Sequence, residues 1–188
     1  IRPANLPAGA PGKGHVVARG SNGVRVAVIN VMGRVFMTAI DDPFRVVLDE
    51  IAAARAETPV IFVDFHAEAT SEKVAMGWHL DGRVTAVFGT HTHVQTADER
   101  ILPKGTACLT DAGMTGPHDS IIGVTIDAAL SRFLTGMPTK FEAASGPARL
   151  NAVIVTADPA SGKATAIERL NLSAQEVEAL AGASVTAR

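Results

Sequence analysis

Residues 60–93 read VIFVDFHAEATSEKVAMGWHLDGRVTAVFGTHTH, and this stretch sets the architecture of the chain. Val60 to Phe65 is a short apolar run, rich in β-branched and aromatic residues, with the character of a buried strand. A helix is predicted from about Ser71 to Leu80, closed by the Asp81-Gly82 turn, and Val84 to Gly89 is a further buried strand. Each strand delivers histidine at its carboxyl end: His66 after the first, and Thr90-His91-Thr92-His93 after the second. Neighbouring parallel strands would bring these two ends together, at the edge of an open α/β sheet where ligands gather.

Outward from this unit the pattern repeats. Val24 to Val31 (VRVAVINV) has the continuous apolar character of a sheet covered on both faces. Asp42-Pro43 supplies an N-cap and a proline at the first helical position. Phe44, Val47, Leu48 and Ile51 then recur at helical spacing until Thr58-Pro59 ends the helix. Thr106 to Thr110 is a fourth strand running into the loop Asp111 to Pro117. Ile126, Ala129, Leu130 and Phe133 mark an amphipathic helix capped by Thr125. Leu150 to Thr156 and Ala164 to Leu172 flank the turn Asp158-Pro159-Ala160-Ser161-Gly162 as a hairpin. Ser173 and Glu176 stand at capping-box spacing before a short last helix. The opening through Gly14 is Pro- and Gly-rich and reads as irregular loop. Strand–helix alternation followed by strands predicts an α/β sandwich.

Composition narrows the function classes. The chain has 188 residues, 47% of them hydrophobic, and a mean hydropathy of +0.21, enough for one buried core with at most a small appended lobe. A net charge of −2 and a pI near 6.3, without any basic run, give no strong nucleic-acid-binding signal, while a small nucleotide stays compatible. Cys108 is the single cysteine, which excludes a disulfide framework and a thiolate cluster. No stretch reaches the roughly 18 apolar residues of a membrane span, and no signal-peptide layout is visible. A cytoplasmic setting without membrane association is expected.

Three features carry chemistry. In an extended H-x-H segment residues i and i+2 project to one side, so His91 and His93 can face one ion or a close pair; neutral imidazole suits Zn, Fe and Mn. Near His66, Asp64 and Glu68 either orient an imidazole through its second nitrogen or are solvated. The loop Asp111 to Pro117 either turns backbone N–H groups and the Thr115 hydroxyl towards an anion or is a tight crossover needing glycine. Of the other histidines, His79 on a helix beside Trp78 is expected to be structural, His15 exposed, and His118 within reach of the site.

The segments RPANLPAGAPGKG (2–14), VDFHAEATSEKVAMGWHLDGRVTAVFGTHTHVQTADERILPKGTA (63–107) and TDAGMTGPHDSIIG (110–123) resemble the YmdB-like branch of the calcineurin-type metallophosphoesterases, from Ile1 to about Leu172. The resemblance implies the αβ-sandwich of that superfamily over residues 1–172, with a small helical insertion or cap near 118–145 and a tail at 173–188. It implies a metal-dependent phosphodiesterase holding two divalent ions, Fe or Mn, with small phosphodiesters such as cyclic nucleotides as substrates. His66 and His91 map to one metal and His93 to the other, GTHTH standing where the superfamily carries G-H-x-H. A homo-oligomer is compatible with it.

The family's G-D, G-E-N and G-N-H elements do not occur in this sequence. They supply an Asp, a bridging Glu, Asn ligands and the histidine that acts as proton donor, so no catalytic residue is assigned here. The chain is accordingly expected to be a fragment, incomplete at the N-terminus. Two cations about 3.5–4 Å apart need a bridging anion, and imidazoles alone do not provide one. Negligible activity and an uncovered, aggregation-prone sheet are therefore expected of the chain by itself. Two alternatives remain: a non-catalytic remnant binding a nucleotide or a protein partner, and a mononuclear H-x-H hydrolase drawing on Glu68 and Asp111.

Overall fold

The computed structural model describes residues 1–186. In chain order the elements are β1 (His15–Arg19), β2 (Arg25–Met32), α1 (Pro43–Arg55), β3 (Ile61–His66), α2 (Thr70–Leu80), β4 (Ala86–Thr90), β5 (Arg100–Ile101), β6 (Ala107–Leu109), β7 (Gly116–Pro117), α3 (Ile126–Thr135), β8 (Ala148–Ala157), β9 (Ala164–Ser173) and α4 (Ala174–Thr186). Six strands form one sheet in the order β1-β2-β3-β4-β6-β5 and three form a second, β7-β8-β9. The run β2-β3-β4-β6 is parallel, and β1 and β5 close its edges antiparallel.

One face of the large sheet is the core. Ala27, Ile29 and Val31 of β2 and Ile61, Val63 and Phe65 of β3 are fully buried there. They pack against Val47, Ile51 and Ala54 of α1 and Met76 and Leu80 of α2. Asp42 caps α1 as its sequence predicts: the Phe44 N–H donates to Asp42 Oδ1 at 2.9 Å, behind a proline whose missing N–H costs nothing at that position. On the other face the β8–β9 hairpin lies over the β4–β6 end, covering Ala86 and Ala107 with Val155 and Ile167.

Several expectations need correction. Burial along β2 and β3 alternates rather than being continuous, because the hairpin covers the far end of the sheet and leaves the second face of β1–β3 half open. Strand β1 is an addition to the expected elements; its five residues carry no turn signal ahead of them beyond Gly14. His15 is half-buried and paired with Glu50 of α1, not exposed. Thr125 occupies the N-cap position of α3, but its side chain makes no capping bond. The capping box at α4 does form: the Ser173 N–H and hydroxyl donate to Glu176 Oε2 at 2.6 and 2.7 Å, and the Glu176 N–H donates to Ser173 Oγ at 3.3 Å. Among the described residues no helix is long and apolar enough to cross a membrane.

Candidate metal centre

Parallel register aligns Met32, His66 and Thr90 across β2, β3 and β4, so the carboxyl ends of the three strands share one rim. Thr90 is the first link. Its hydroxyl donates to Asp64 Oδ1 at 2.7 Å, leaving the hydroxyl oxygen to accept from His66 Nδ1 at 3.1 Å. Asn30 Nδ2 donates to the other oxygen of Asp64 at 2.8 Å. His66 therefore carries its proton on Nδ1, and Nε2 is bare. Burial, followed by the neighbouring His91, pushes the His66 pKa below its ordinary value, against the raising influence of Asp64. The neutral, ligand-competent imidazole is favoured.

His91 mirrors this arrangement. Its Nε2 lies 3.2 Å from Glu68 Oε2, and a carboxylate only accepts, so the proton sits on Nε2 and Nδ1 is bare. The two bare nitrogens, His66 Nε2 and His91 Nδ1, face each other at 3.1 Å, with the rings edge to face. Two lone pairs opposed at that distance repel unless a proton or a metal ion lies between them: with His91 protonated its Nδ1 donates to His66 Nε2, and with His91 neutral the pair is open to a metal ion. Two imidazole nitrogens each about 2.0–2.1 Å from a common ion, at an angle of about 90–109°, stand about 2.8–3.4 Å apart. The pair fits a transition-metal ion in donor type, protonation and spacing. The Asp64–Thr90 and Glu68 contacts are the outer hydrogen bonds that such ligands use to fix their tautomers.

His93 is placed differently. The extended alternation expected of H-x-H is absent, because His91 and His93 both adopt positive φ, 105° and 67°, and the segment bends. Non-glycine residues in that region are strained, and such strain is concentrated at functional sites. Consequently His91 turns to His66, while His93 Nδ1 donates to the Ile122 carbonyl at 2.8 Å. Among the described residues no group of three or more His, Cys, Asp or Glu side chains is disposed to hold an ion. The structure brings two of the three predicted histidines together and sets the third on the adjoining loop.

A buried ion pair holds the bend from below. Lys73 Nζ meets Asp111 Oδ2 at 2.6 Å, with side-chain exposures of 2% and 1%. Asp111 Oδ2 also accepts from the Thr92 N–H at 3.2 Å and hydroxyl at 2.7 Å, and Oδ1 accepts from the Gly113 N–H at 2.8 Å. With both oxygens committed, Asp111 is no ligand candidate, which removes one leg of the mononuclear alternative. Gly113 at φ 80° and the Thr115 hydroxyl donating to the Asn151 carbonyl at 3.3 Å give the 111–117 loop the character of a tight crossover. His79 is structural, bonding the Phe44 carbonyl at 3.0 Å. His118 contacts the Gly116 carbonyl and Asn151 and shares a cavity with His93.

Gly89, just before the bend, is required by contact. A Cβ there would stand 1.8 Å from the Thr110 carbonyl oxygen and 2.8 Å from Lys73 Cδ. Gly89→Ala is expected to cost about 3 kcal/mol, seen as a lowered thermal midpoint. An unchanged midpoint would show that β4 and the 110–111 segment are not packed this closely.

A model of the YmdB-like protein family matches residues 1–170. The chain is 54% identical over 170 residues to a 2',3'-cyclic-nucleotide 2'-phosphodiesterase of Bacillus subtilis (strain 168), covering 90% of this chain and 64% of the relative. It is 37% identical over 182 residues to a putative phosphatase/phosphodiesterase of Mycoplasma pneumoniae, covering 92% of this chain and 63% of that one. Among solved structures, a hypothetical protein from Thermus thermophilus superposes with a TM-score of 0.86 at 44% identity, over 92% of this chain and 67% of the other. A novel phosphatase of Mycoplasma pneumoniae superposes with a TM-score of 0.83 at 34% identity, over 95% and 66%. The chain thus spans less than two thirds of the length of both curated relatives.

Proposed function

The chain belongs to the YmdB-like protein family, and on that premise we propose that it carries the histidine half of a metal-dependent phosphodiesterase centre acting on cyclic nucleotides. One observation carries this reading: the nitrogens of His66 and His91 opposed at 3.1 Å, His66 held on its far side by the Thr90 hydroxyl that Asp64 orients and His91 by the Glu68 carboxylate. The relative's 2',3'-cyclic-nucleotide specificity supplies the substrate class.

His66 and His91 would hold one divalent ion, Fe or Mn, and His93 would serve a second. Metal ions so bound supply Lewis-acid activation of water and neutralise charge on the phosphoryl oxygens. Thr90, with Asp64 behind it, keeps the His66 proton on Nδ1. Glu68 does the same for His91 on Nε2. Thr92, tied to the Lys73–Asp111 pair, fixes the bend between His91 and His93, so the backbone carrying His91 needs no reorganisation as the site loads.

The test compares turnover of 2',3'-cyclic AMP, with Mn²⁺ supplied, by this chain and by a version extended to the length of its relatives. The extended protein is expected to hydrolyse the diester and the 188-residue chain to show negligible turnover. An extended protein that binds the metal but leaves every phosphodiester intact would overturn the proposal.

A further inference from the structure

Beside His93 the surface opens into a cavity of about 250 Å³, walled on its apolar side by Val94, Met114 and Ile122. At about 30 Å³ per water molecule this volume holds on the order of eight waters, room enough for a planar ring system. Among the described residues three buried side-chain oxygens lack a hydrogen-bond partner, and two of them, Gln95 Oε1 and Asn151 Oδ1, belong to side chains lining this cavity. Asn151 is only 9% exposed.

The orientation of both amides is set by their neighbours. His118 Nδ1 faces the Gly116 carbonyl at 3.1 Å and must carry the proton, which leaves Nε2 to accept from Asn151 Nδ2 at 3.2 Å. Gln95 Nε2 donates to the Leu170 carbonyl at 2.9 Å, with the Ala112 and Ala152 carbonyls further off at 3.3 and 3.4 Å. Both side chains thus present an acceptor without a donor. Both oxygens are buried in the wall, and the terminal torsions of Asn and Gln are soft, so rotation of each amide brings its oxygen to the cavity.

We propose that this cavity is the nucleobase subsite of the phosphodiesterase centre and that it selects bases bearing an exocyclic amino group. The inference rests on the cyclic-nucleotide reading above and deepens it. A base with an amino group gives the two acceptors the donor they lack, while its ring lies against Met114 and Val94. A base with an oxo group at the same position places acceptor against acceptor and leaves buried polar atoms unpaired, the costliest kind of mismatch. His93 lines the cavity and stands two residues from His91 on the same bend, which sets the cavity beside the loop that bears the paired histidines.

The experiment is calorimetric titration of the metal-free chain with adenosine and with inosine, which differ in a 6-amino donor beside a bare N1 against a 6-oxo acceptor beside an N1–H. Adenosine is expected to bind about tenfold tighter than inosine. Asn151→Leu, and separately Gln95→Met, each checked for folding by circular dichroism, are expected to bring that ratio towards one. Equal affinities in the unsubstituted chain, a preference for inosine, or no binding of either nucleoside at millimolar concentration would overturn the subsite. The phosphodiesterase reading is tested apart from it by hydrolysis of bis(p-nitrophenyl) phosphate by the extended protein, a diester without a base. Failure of that reaction leaves the adenosine-to-inosine ratio readable, and the reverse holds too.

Discussion

Replacing either His66 or His91 with alanine is expected to abolish transition-metal binding by this chain, followed by cobalt(II) titration in the visible range or by metal analysis after dialysis. On the proposed reading the two nitrogens at 3.1 Å act as one coordination unit, and removal of one imidazole leaves a single neutral ligand. The loss should exceed the roughly 10–100-fold weakening that removal of an outer hydrogen-bond partner causes, and Thr90→Val supplies that smaller benchmark by freeing the His66 tautomer. Stability should move little. The His91 side chain is 35% exposed, and its removal takes away opposed lone pairs, so metal-free His91→Ala should unfold within about 0.5 kcal/mol of the parent. Metal content unchanged in both variants would show that the histidine pair is a structural contact only.

The β3–α2–β4 unit was legible because its strands are dense in β-branched residues and its boundaries carry turn and capping residues. Each of those signals is local, and so is the chemistry of Asp42-Pro43 and of Ser173 with Glu176. The convergence of His66 and His91 was legible for a related reason: two successive parallel strands ending in histidine must meet at one rim. The bend at His91-Thr92-His93 was not legible, since residues of positive φ other than glycine carry no compositional mark. An extended geometry was the natural expectation, and with it a shared direction for both imidazoles.

Thr90 escaped notice because its place between His66 and Asp64 depends on the pairing register of two strands, which alternation alone does not fix. The half-open second face of β1–β3 was missed for the opposite reason. An apolar run shows that a strand tolerates burial, whereas the covering hairpin lies much further along the chain and settles over β4 and β6 instead. Lys73 is the clearest case. A lysine in an amphipathic helix reads as solvent-facing, and nothing near it in sequence announces Asp111, 38 residues away.

That concealed pair underlies the second large effect. Lys73→Met is expected to destabilise the protein by about 3–5 kcal/mol, because the Asp111 carboxylate would remain buried without its counter-charge. For a domain whose whole stability is about 5–15 kcal/mol, the urea midpoint should fall by a large fraction. Adding Asp111→Asn removes the stranded charge and should restore about 1–3 kcal/mol, short of full recovery because an amide offers one acceptor where both carboxylate oxygens are in use. The partially rescued double variant then separates folding from function. It keeps His66, His91 and their outer partners, yet loses the anchor under Thr92 that holds the strained bend. Its metal affinity should accordingly fall by about 10–100-fold, the range typical of lost outer-shell support. A single variant within about 0.5 kcal/mol of the parent would mean that water reaches Asp111 and the pair is not the anchor of the bend.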